Sequence, residues 1–391
     1  MKNELAEKHF KKGISYFALE KYEKAADSYL KAIEIDPNHA YAYTNLGFTY
    51  FKLERFDEAK EVFLKDLKNH PEHFINYYNL GIIYSKLKMY EDAIEANLKL
   101  IEIKPDFAGA HFNLGNAYYD HKKYDKAIKS YLKAIELAPK DDQIYNNLGN
   151  TYRETKKYAE ALDAYLKAIE INPEHPYAHK NLGYTYFVLE KYDEAIEPFL
   201  NAIKVNSELA EPYFYLGNCY FHIKRYAEAA EAFLKVIEIK PDSSEAYNNL
   251  SLTYINLEKY KEALMNGFKA IEIDTNAVDA YYYIGAAYTK LERYNDAMEF
   301  ILKAIEKNSE NAHAYNNLGF IYYKLKRYDD AMKAFLKSVE IDPNFAEAYQ
   351  NLGELYFKKN DISKAESILA KLKSLDYDRY LELYNMINPK N

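Results

Sequence analysis

Apolar residues recur along this chain at the spacing of short amphipathic helices, and residues 108–141 show the pattern clearly. Leu114 and Tyr118 lie four residues apart, which places them on one face of a first helix. The apolar positions of residues 124–135 mark a second helix, which Pro139 ends because proline has no N–H to donate. Neither helix is long enough to be stable alone in water. We therefore expect the two helices to pack on each other and on neighbouring pairs.

The same pattern recurs every 34 residues, which gives eleven consecutive repeats. One slot of the repeat holds glycine in ten repeats and serine in the other. A tyrosine lies three residues after this slot, and an alanine lies twelve residues after it. The residues in this slot are Gly13, Gly47, Gly81, Gly115, Gly149, Gly183, Gly217, Ser251, Gly285, Gly319 and Gly353.

These residues resemble the tetratricopeptide repeat family, whose pattern is W-x2-L-G-x2-Y, then A-x3-F, then P. The second repeat matches with Tyr43, Leu46, Gly47, Tyr50, Ala59, Phe63 and Pro71, and tyrosine or histidine replaces the family's tryptophan throughout. The resemblance implies an all-α fold, a right-handed superhelical solenoid of antiparallel helix pairs (an α-α superhelix).

The repeats predict the organisation of nearly the whole chain. Residues 1–5 form a lead-in, residues 6–379 form the eleven repeats, and residues 376–391 form a C-terminal capping helix and tail. The repeats, numbered one to eleven, start at residues 6, 40, 74, 108, 142, 176, 210, 244, 278, 312 and 346.

The composition and charge of the chain favour some classes of protein and some cellular locations over others. The formal net charge of −8 gives no general electrostatic case for nucleic-acid binding. The single cysteine, Cys219, cannot form an internal disulfide, and we interpret it as a packing residue rather than a reactive thiol. The N-terminus does not resemble a signal peptide, and no apolar run approaches the ~18 residues of a membrane span. We expect a soluble, cytoplasmic protein without membrane attachment.

In the tetratricopeptide family, the face of each first helix that points away from the core lines a superhelical groove, and the resemblance implies the same here. Asparagine dominates the sixth position of the repeats on this face and also occurs at the ninth position of repeats four and five. The candidate peptide-binding residues are Asn45, Asn79, Asn113, Asn116, Asn147, Asn150, Asn181, Asn249, Asn317 and Asn351, with the aromatic residues Tyr119, Tyr177, Tyr184, Phe187, Tyr215 and Tyr283.

Two interpretations of these residues remain open. An asparagine amide carries donors and an acceptor, so it can pair with a peptide backbone of any sequence or bond the adjacent helix. The aromatic side chains, likewise, either form an exposed binding surface or pack between neighbouring helices. If the residues bind a ligand, repeats four to six are the expected contact zone.

No motif for catalysis, a cofactor or a metal stands out. His175 and His179 are four residues apart, but Pro176 between them indicates a helix boundary rather than a shared helical face. A carboxylate clamp of the kind some family members use is broken, because Lys180 is followed by Tyr184 and Tyr215. We therefore predict a non-enzymatic scaffold that binds a protein or peptide, with no cofactor and no metal. The alternative is a helical-repeat RNA-binding protein; the oligomeric state stays open.

Two places depart from the repeat. Asn97 replaces an aromatic residue, which predicts either a local weakness or a partly exposed side chain. Ser251 replaces the glycine of repeat eight and Gly267 its buried aromatic, unless Phe268 turns inward to fill the space. Repeats seven to nine are therefore expected to be the least stable, either as a functional hinge or through sequence drift.

Overall fold

A computed structural model describes residues 2–388, and this range contains 23 α-helices and no β-strand, which confirms the all-α prediction. Contacts divide the chain into two compact units, one ending at Leu189 and the other beginning at Glu190. The helices of the N-terminal unit are α1 Lys2–Ala18, α2 Tyr22–Ile35, α3 Ala40–Lys52, α4 Phe56–Asn69, α5 Phe74–Lys86, α6 Tyr90–Ile103, α7 Ala108–Asp120, α8 Tyr124–Leu137, α9 Asp142–Glu154, α10 Tyr158–Ile171 and α11 Pro176–Val188.

The C-terminal unit continues the same alternation of helices. Its helices are α12 Tyr192–Val205, α13 Ala210–His222, α14 Tyr226–Ile239, α15 Ser244–Asn256, α16 Tyr260–Ile273, α17 Val278–Lys290, α18 Tyr294–Lys307, α19 Ala312–Lys324, α20 Tyr328–Ile341, α21 Ala346–Lys358, α22 Ile362–Leu375 and α23 Tyr377–Ile387. Within each unit, consecutive helices pack as antiparallel pairs because the turns that join them are short. The fold is therefore a solenoid of tandem helix pairs.

The two helices of a pair pack closely because a glycine, which has no side chain, faces an aromatic ring. A Cβ atom added to Gly115 of α7 would lie 2.6 Å from ring carbons of Tyr131 in α8. Tyr131 itself is 1% exposed, and Ala127, one turn earlier on α8, is fully buried. The repeat pattern of glycine, alanine and aromatic residue thus encodes the spacing between the two helices.

The turn inside each pair adopts a left-handed backbone conformation that the sequence did not signal. Lys122 has a φ of 59°, and its N–H bonds the carbonyl of Tyr119 while that of Lys123 bonds Tyr118, each at 2.8 Å. These bonds close the end of α7. None of the eleven residues in this conformation is glycine: Glu20, Glu54, Lys88, Lys122, Lys156, Glu190, Lys224, Glu258, Glu292, Lys326 and Asn360.

The last described helix, α23, packs on α21 and α22. The carboxylate of Asp376 accepts N–H groups from Asp378 and Arg379, which caps its first turn. Leu383 is fully buried, and its side chain occupies the space next to Gly353. The eleven-repeat division stays a prediction; Met1 of the lead-in and residues 389–391 of the tail lie outside the described residues.

The structure resolves two choices that the sequence left open. Asn97 is fully buried, so the alternative of a partly exposed side chain is wrong. Cys219 is also fully buried, and burial raises the pKa of its thiol to about 12, which supports a packing role. Among the described helices, none combines the length and apolar character needed to cross a membrane.

Candidate functional site

A cavity of about 530 Å³ lies among α5, α7 and α9 of the N-terminal unit. Gly81, Ile82 and Ser85 line it from α5, and Tyr90 of α6 and Tyr131 of α8 complete the wall. Five of the residues predicted from the sequence also line it: Asn113, Asn116, Tyr119, Asn147 and Asn150. The structure therefore brings together the part of the predicted site that lies in repeats four and five.

Buried tyrosine hydroxyl groups orient two of the asparagine side chains. The hydroxyl of Tyr131 donates to Oδ1 of Asn116 at 2.7 Å, and that of Tyr165 donates to Oδ1 of Asn150 at 2.8 Å. Burial raises the pKa of both tyrosines, so the hydroxyl groups keep the protons that they donate. Because each Oδ1 accepts from a tyrosine, the Nδ2 groups of Asn116 and Asn150 keep donors for other partners.

A chain of side-chain amides connects three odd-numbered helices. Nδ2 of Asn181 donates to Oδ1 of Asn146, and Nδ2 of Asn147 donates to Oδ1 of Asn116, both at 3.0 Å. Nδ2 of Asn146 donates to Oδ1 of Asn147 at 3.2 Å, which joins the two bonds. Asn181 is 8% exposed. Asn147 and Asn181 therefore bond neighbouring helices, the structural role that the sequence left as an alternative.

Several of the other predicted asparagines also donate hydrogen bonds to protein groups. In the C-terminal unit, Nδ2 of Asn249 donates to Asn218 at 3.0 Å, and Nδ2 of Asn351 donates to Asn316 at 2.9 Å. In the N-terminal unit, Nδ2 of Asn45 donates to a backbone carbonyl of its own helix. The side chains of Asn79 and Asn317 are half-buried.

Asn113 differs from the asparagines that bond another helix. Its Nδ2 atom is buried and has no hydrogen-bond partner, although the residue itself is half-buried and lines the cavity. The neighbouring pair α5/α6 is unusual too, because the fully buried Asn97 takes the place of a ring and its Oδ1 also lacks a partner. An unpaired buried amide is a costly feature, of about 1–3 kcal/mol, that a ligand can satisfy.

The predicted aromatic residues are mostly half-buried rather than exposed. Tyr177 is 51% exposed, whereas the side chains of Tyr119, Tyr184 and Phe187 are half-buried. The guanidinium group of Arg153 lies 5.1 Å from the ring centre of Tyr184. Packing between helices thus accounts for much of the surface of these rings.

Two predicted rings lie in the C-terminal unit. Tyr215 stacks on Phe199 with ring centres 6.0 Å apart, and Tyr283 lies edge-on to Tyr282 at 5.7 Å. Burial raises the pKa of Tyr283 above the usual tyrosine value. These two residues have the surroundings of packing residues.

Charges of both signs lie at the edge of the cavity. Lys86 and Lys88 line it from the end of α5 and the turn that follows, Asp120 lines it from the end of α7, and all three residues are exposed. Desolvation by the surrounding protein raises the pKa of the Asp120 carboxyl. Side-chain amides do not ionise near neutral pH, so the lining as a whole suits hydrogen-bonded recognition better than acid–base chemistry.

A second polar cluster, at the turn between α4 and α5, was missed by the sequence analysis. His70, Glu72 and His73 each offer a ligand atom, and these three atoms lie within 4.8 Å of one another. The fully buried carboxylate of Asp66 contacts His73. The available signals were the sequence His-Pro-Glu-His and an aspartate at a position where other repeats carry Ala, Leu, Val or Ser.

The histidine pair considered from the sequence is used differently. Nδ1 of His175 accepts the N–H of Ala178 at 3.3 Å, and Nε2 of His179 lies 2.9 Å from the carbonyl oxygen of Pro173. One nitrogen of each ring is thereby committed to the backbone.

Family models match most of the chain. A model described as TPR repeat matches residues 13–54, 83–122, 115–156 and 285–326. Models described as tetratricopeptide repeat match residues 40–69, 143–175, 180–244, 232–265, 312–345 and 334–367. A comparison with curated protein sequences found no match.

Solved structures share the fold. The APC/C hetero-tetramer Cut9-Hcn1 aligns over 98% of this chain and 96% of its own, with 13% identity and a TM-score of 0.52. The MamA protein aligns over 45% of this chain and 96% of its own, with 27% identity and a TM-score of 0.42. YrrB, described as a TPR protein with an unusual peptide-binding site, aligns over 48% and 97%, with 28% identity and a TM-score of 0.38. At these values the first likeness supports the fold alone.

Proposed function

This chain belongs to the tetratricopeptide repeat family, and from that premise we propose that it is a non-enzymatic protein–protein interaction scaffold. In this proposal an extended peptide or a partner helix lies in the concave groove lined by the odd-numbered helices, and the cavity among α5, α7 and α9 is the main contact zone. The family fold is typical of proteins that bind other proteins.

The observation that carries the proposal is the set of amide donors around the cavity. Nδ2 of Asn113 is buried without a partner, and the oxygens of Asn116 and Asn150 are already held by tyrosines. The remaining N–H groups suit the carbonyl oxygens of a peptide backbone, which are the same in every sequence. An extended chain advances about 3.3–3.6 Å per residue and helices pack about 8–10 Å apart, so successive helices meet a peptide about every three residues.

The rings near these amides would supply apolar contact. Tyr119 lines the same cavity, and Tyr177, which is 51% exposed, lines a second pocket that shares Asn147 with it. In this arrangement the amides provide affinity for any backbone, and the aromatic side chains select among peptide side chains.

A peptide library displayed on phage, selected against the full chain, tests the proposal. The affinity of a selected peptide is then measured by fluorescence anisotropy for the parent and for Asn113→Ala with Asn150→Asp. Asn150→Asp keeps an oxygen for Tyr165 but removes the amide donors. We expect the double variant to bind roughly ten- to a hundredfold more weakly, since each hydrogen bond contributes about 0.5–1.5 kcal/mol and the new charge repels carbonyl oxygens.

The matched control is Asn266→Ala on α16, whose amide bonds only its own helix and lies outside the cavity. This variant should bind as the parent does. Unchanged affinity in the double variant would contradict the proposed contact zone. Tight binding of generic RNA that weakens steeply with salt would instead favour the RNA-binding alternative.

We also propose a cytoplasmic location, which the buried, single cysteine supports because it makes no disulfide within the chain. Fractionation of cells that express the protein, followed by immunoblotting, measures this directly.

A further inference from the structure

The turn between α4 and α5 carries a polar cluster that the peptide groove does not use. His70 follows the last residue of α4 and His73 precedes the first residue of α5, and their rings stack with centres 4.8 Å apart. Nδ1 of His70 lies 3.9 Å from Oε1 of Glu72. Two imidazoles and a carboxylate therefore meet within one four-residue turn.

Beneath the turn lies a buried carboxylate. Asp66 is fully buried, and its Oδ2 accepts hydrogen bonds from Nδ1 of His73, at 2.9 Å, and from Nδ2 of Asn76. The hydroxyl of Thr44 donates to Oδ1 of Asn76 at 3.0 Å and extends the network. Oδ1 of Asp66 is left without a partner. An uncompensated buried charge is costly, so this network is a poor device for stability alone.

His73 is oriented differently from the two other histidines that precede a helix. Nδ1 of His39 and Nδ1 of His175 each accept a backbone N–H of the helix that follows, at 3.3 Å. Nδ1 of His73 instead donates to the carboxylate of Asp66, which leaves Nε2 of the neutral ring with a free electron pair. A histidine that binds a metal through one ring nitrogen usually donates the N–H of the other nitrogen to a carboxylate, a backbone carbonyl or water.

From this geometry we propose that His70, Glu72 and His73 bind a divalent transition-metal ion of the Zn²⁺ class, with Asp66 as the positioning residue. With neutral histidines, Asp66 and Glu72 give the cluster two negative charges, which a divalent cation neutralises. Imidazole nitrogens favour Zn²⁺ and related ions, whereas Ca²⁺ and Mg²⁺ prefer oxygen ligands. Three protein ligands and a water molecule complete a tetrahedral site.

Small rotations of side chains bring the ligands into range. The three ligand atoms lie within 4.8 Å of one another, and ligands of one tetrahedral zinc ion lie about 3.3–3.6 Å apart, given metal–ligand bonds of about 2.0–2.2 Å. The side chain of Glu72 is 69% exposed, and its Oε1 already lies 3.9 Å from Nδ1 of His70. The bound ion would join the end of α4 to the start of α5.

The chain contains its own matched control. Residues 172–175 read Asn-Pro-Glu-His, which repeats the turn at residues 70–73 with Asn172 in place of His70 and Ala168 in place of Asp66. The substitution His70→Asn therefore produces a turn that this fold already contains, and it removes one ligand. Asp66→Ala similarly reproduces the other turn and removes the carboxylate that orients His73.

Zn²⁺ titration of the untagged full chain, followed with a competing chromophoric chelator, tests the proposal. We expect one site of micromolar or tighter affinity, weakened at least tenfold by His70→Asn and about ten- to a hundredfold by Asp66→Ala. Co²⁺ should give the intense visible absorption of a tetrahedral site, and Mg²⁺ should not compete. His179→Ala should leave the affinity unchanged.

Two results would overturn the proposal. One is a parent chain that binds no Zn²⁺ at 100-fold molar excess, and the other is equal affinity in the parent and in His70→Asn. Circular dichroism of each variant checks that the helices remain, so that loss of binding is not loss of fold. Because the cluster is separate from the cavity among α5, α7 and α9, peptide affinity and zinc affinity report on the two proposals independently.

Discussion

The pairs α7/α8 and α15/α16 form the same kind of contact, but the glycine lies on the first helix in one pair and on the second helix in the other. In α7/α8, Gly115 leaves room for the ring of Tyr131, which is 1% exposed. In α15/α16 the corresponding residues are Ser251 and Gly267, so the side chain now lies on the first helix and the second helix has none. The comparison shows that the pattern encodes a distance between helices, which different residues can supply.

The missing ring of α16 is replaced from outside the pair. A Cβ atom added to Gly267 would lie 2.7 Å from Cγ1 of Ile284, so a residue of α17 already occupies that space. The hydroxyl of Ser251 donates to the carbonyl of Ala263 at 2.8 Å. The alternative that Phe268 turns inward is wrong: this ring is 38% exposed and contacts Phe300 with ring centres 5.4 Å apart.

The largest expected difference between the two pairs is the cost of removing a ring. Tyr131→Ala should destabilise α7/α8 by about 3–5 kcal/mol, because it leaves a cavity and removes the hydroxyl group that donates a hydrogen bond to Asn116. Phe268→Ala removes the ring next to Gly267 in α16, and it should cost only about 1–2 kcal/mol because that ring is partly exposed. Native-state hydrogen exchange of the amides of each pair measures both values. Equal losses would refute the view that only one pair depends on an internal ring.

Without any substitution, the pair α15/α16 should also be less stable than α9/α10, a regular pair in which Gly149 faces the ring of Tyr165. Amides of residues 251–275 should exchange faster than those of residues 148–170, because a glycine inside a helix costs about 1 kcal/mol and Gly267 contributes no ring. Hydrogen exchange followed by mass spectrometry, at a pH where exchange reports opening equilibria, makes the comparison. Equal protection in the two windows would show that Ile284 compensates fully, and it would remove the case for a weak segment in repeats seven to nine.

Ser251→Ala isolates the hydrogen bond of the exceptional pair. It keeps the Cβ atom but removes the hydroxyl that bonds Ala263, so α15/α16 should lose about 0.5–1.5 kcal/mol. Gly115→Ala is the reciprocal change in α7/α8, where the same Cβ atom meets the ring of Tyr131 and should cost about 1–3 kcal/mol. Urea unfolding measures the loss of stability in each variant, and hydrogen exchange of the amides assigns that loss to one of the two pairs. A larger loss in Ser251→Ala than in Gly115→Ala would reverse our account of the packing.

The smallest effect should be the same in both pairs. Lys122 and Glu258 hold a left-handed conformation, with φ of 59° and 58°, that costs roughly 1–2 kcal/mol for a residue with a Cβ atom. Lys122→Gly and Glu258→Gly should each stabilise the protein by about 0.5–1 kcal/mol, since the relief of strain exceeds the added entropy of the unfolded chain. Thermal unfolding of the two variants measures the gain. If only one of the two variants were more stable than the parent, part of the difference in stability between the two pairs would arise in the turn rather than in the packing.

Periodicity predicted the class of fold because each repeat buries the same face. The recurring alanines, such as Ala127 and Ala263, are fully buried in the structure, as residues that separate two close helices must be. The left-handed turn was not predicted, because lysine, glutamate or asparagine stands where a glycine would have signalled it.

The candidate site was predictable only in part. The helical period placed Asn113, Asn116 and Asn147 on one face, and the structure shows all three at one cavity. The period could not distinguish Asn147, which bonds another helix, from Asn113, whose Nδ2 has no partner. That distinction depends on which side chains of the neighbouring helices lie within hydrogen-bonding distance.

The sequence by itself determined the helical class, the 34-residue period and the face on which the asparagines lie, because these follow from local spacing along one helix. Only the tertiary structure decided which amides are already paired, that Ile284 occupies the space beside Gly267, and that Asp66 meets His73 under a turn. Those outcomes depend on distances between side chains of different helices. A repeat pattern specifies positions within one helix pair, and it leaves the contacts made by each exceptional residue to its particular neighbours.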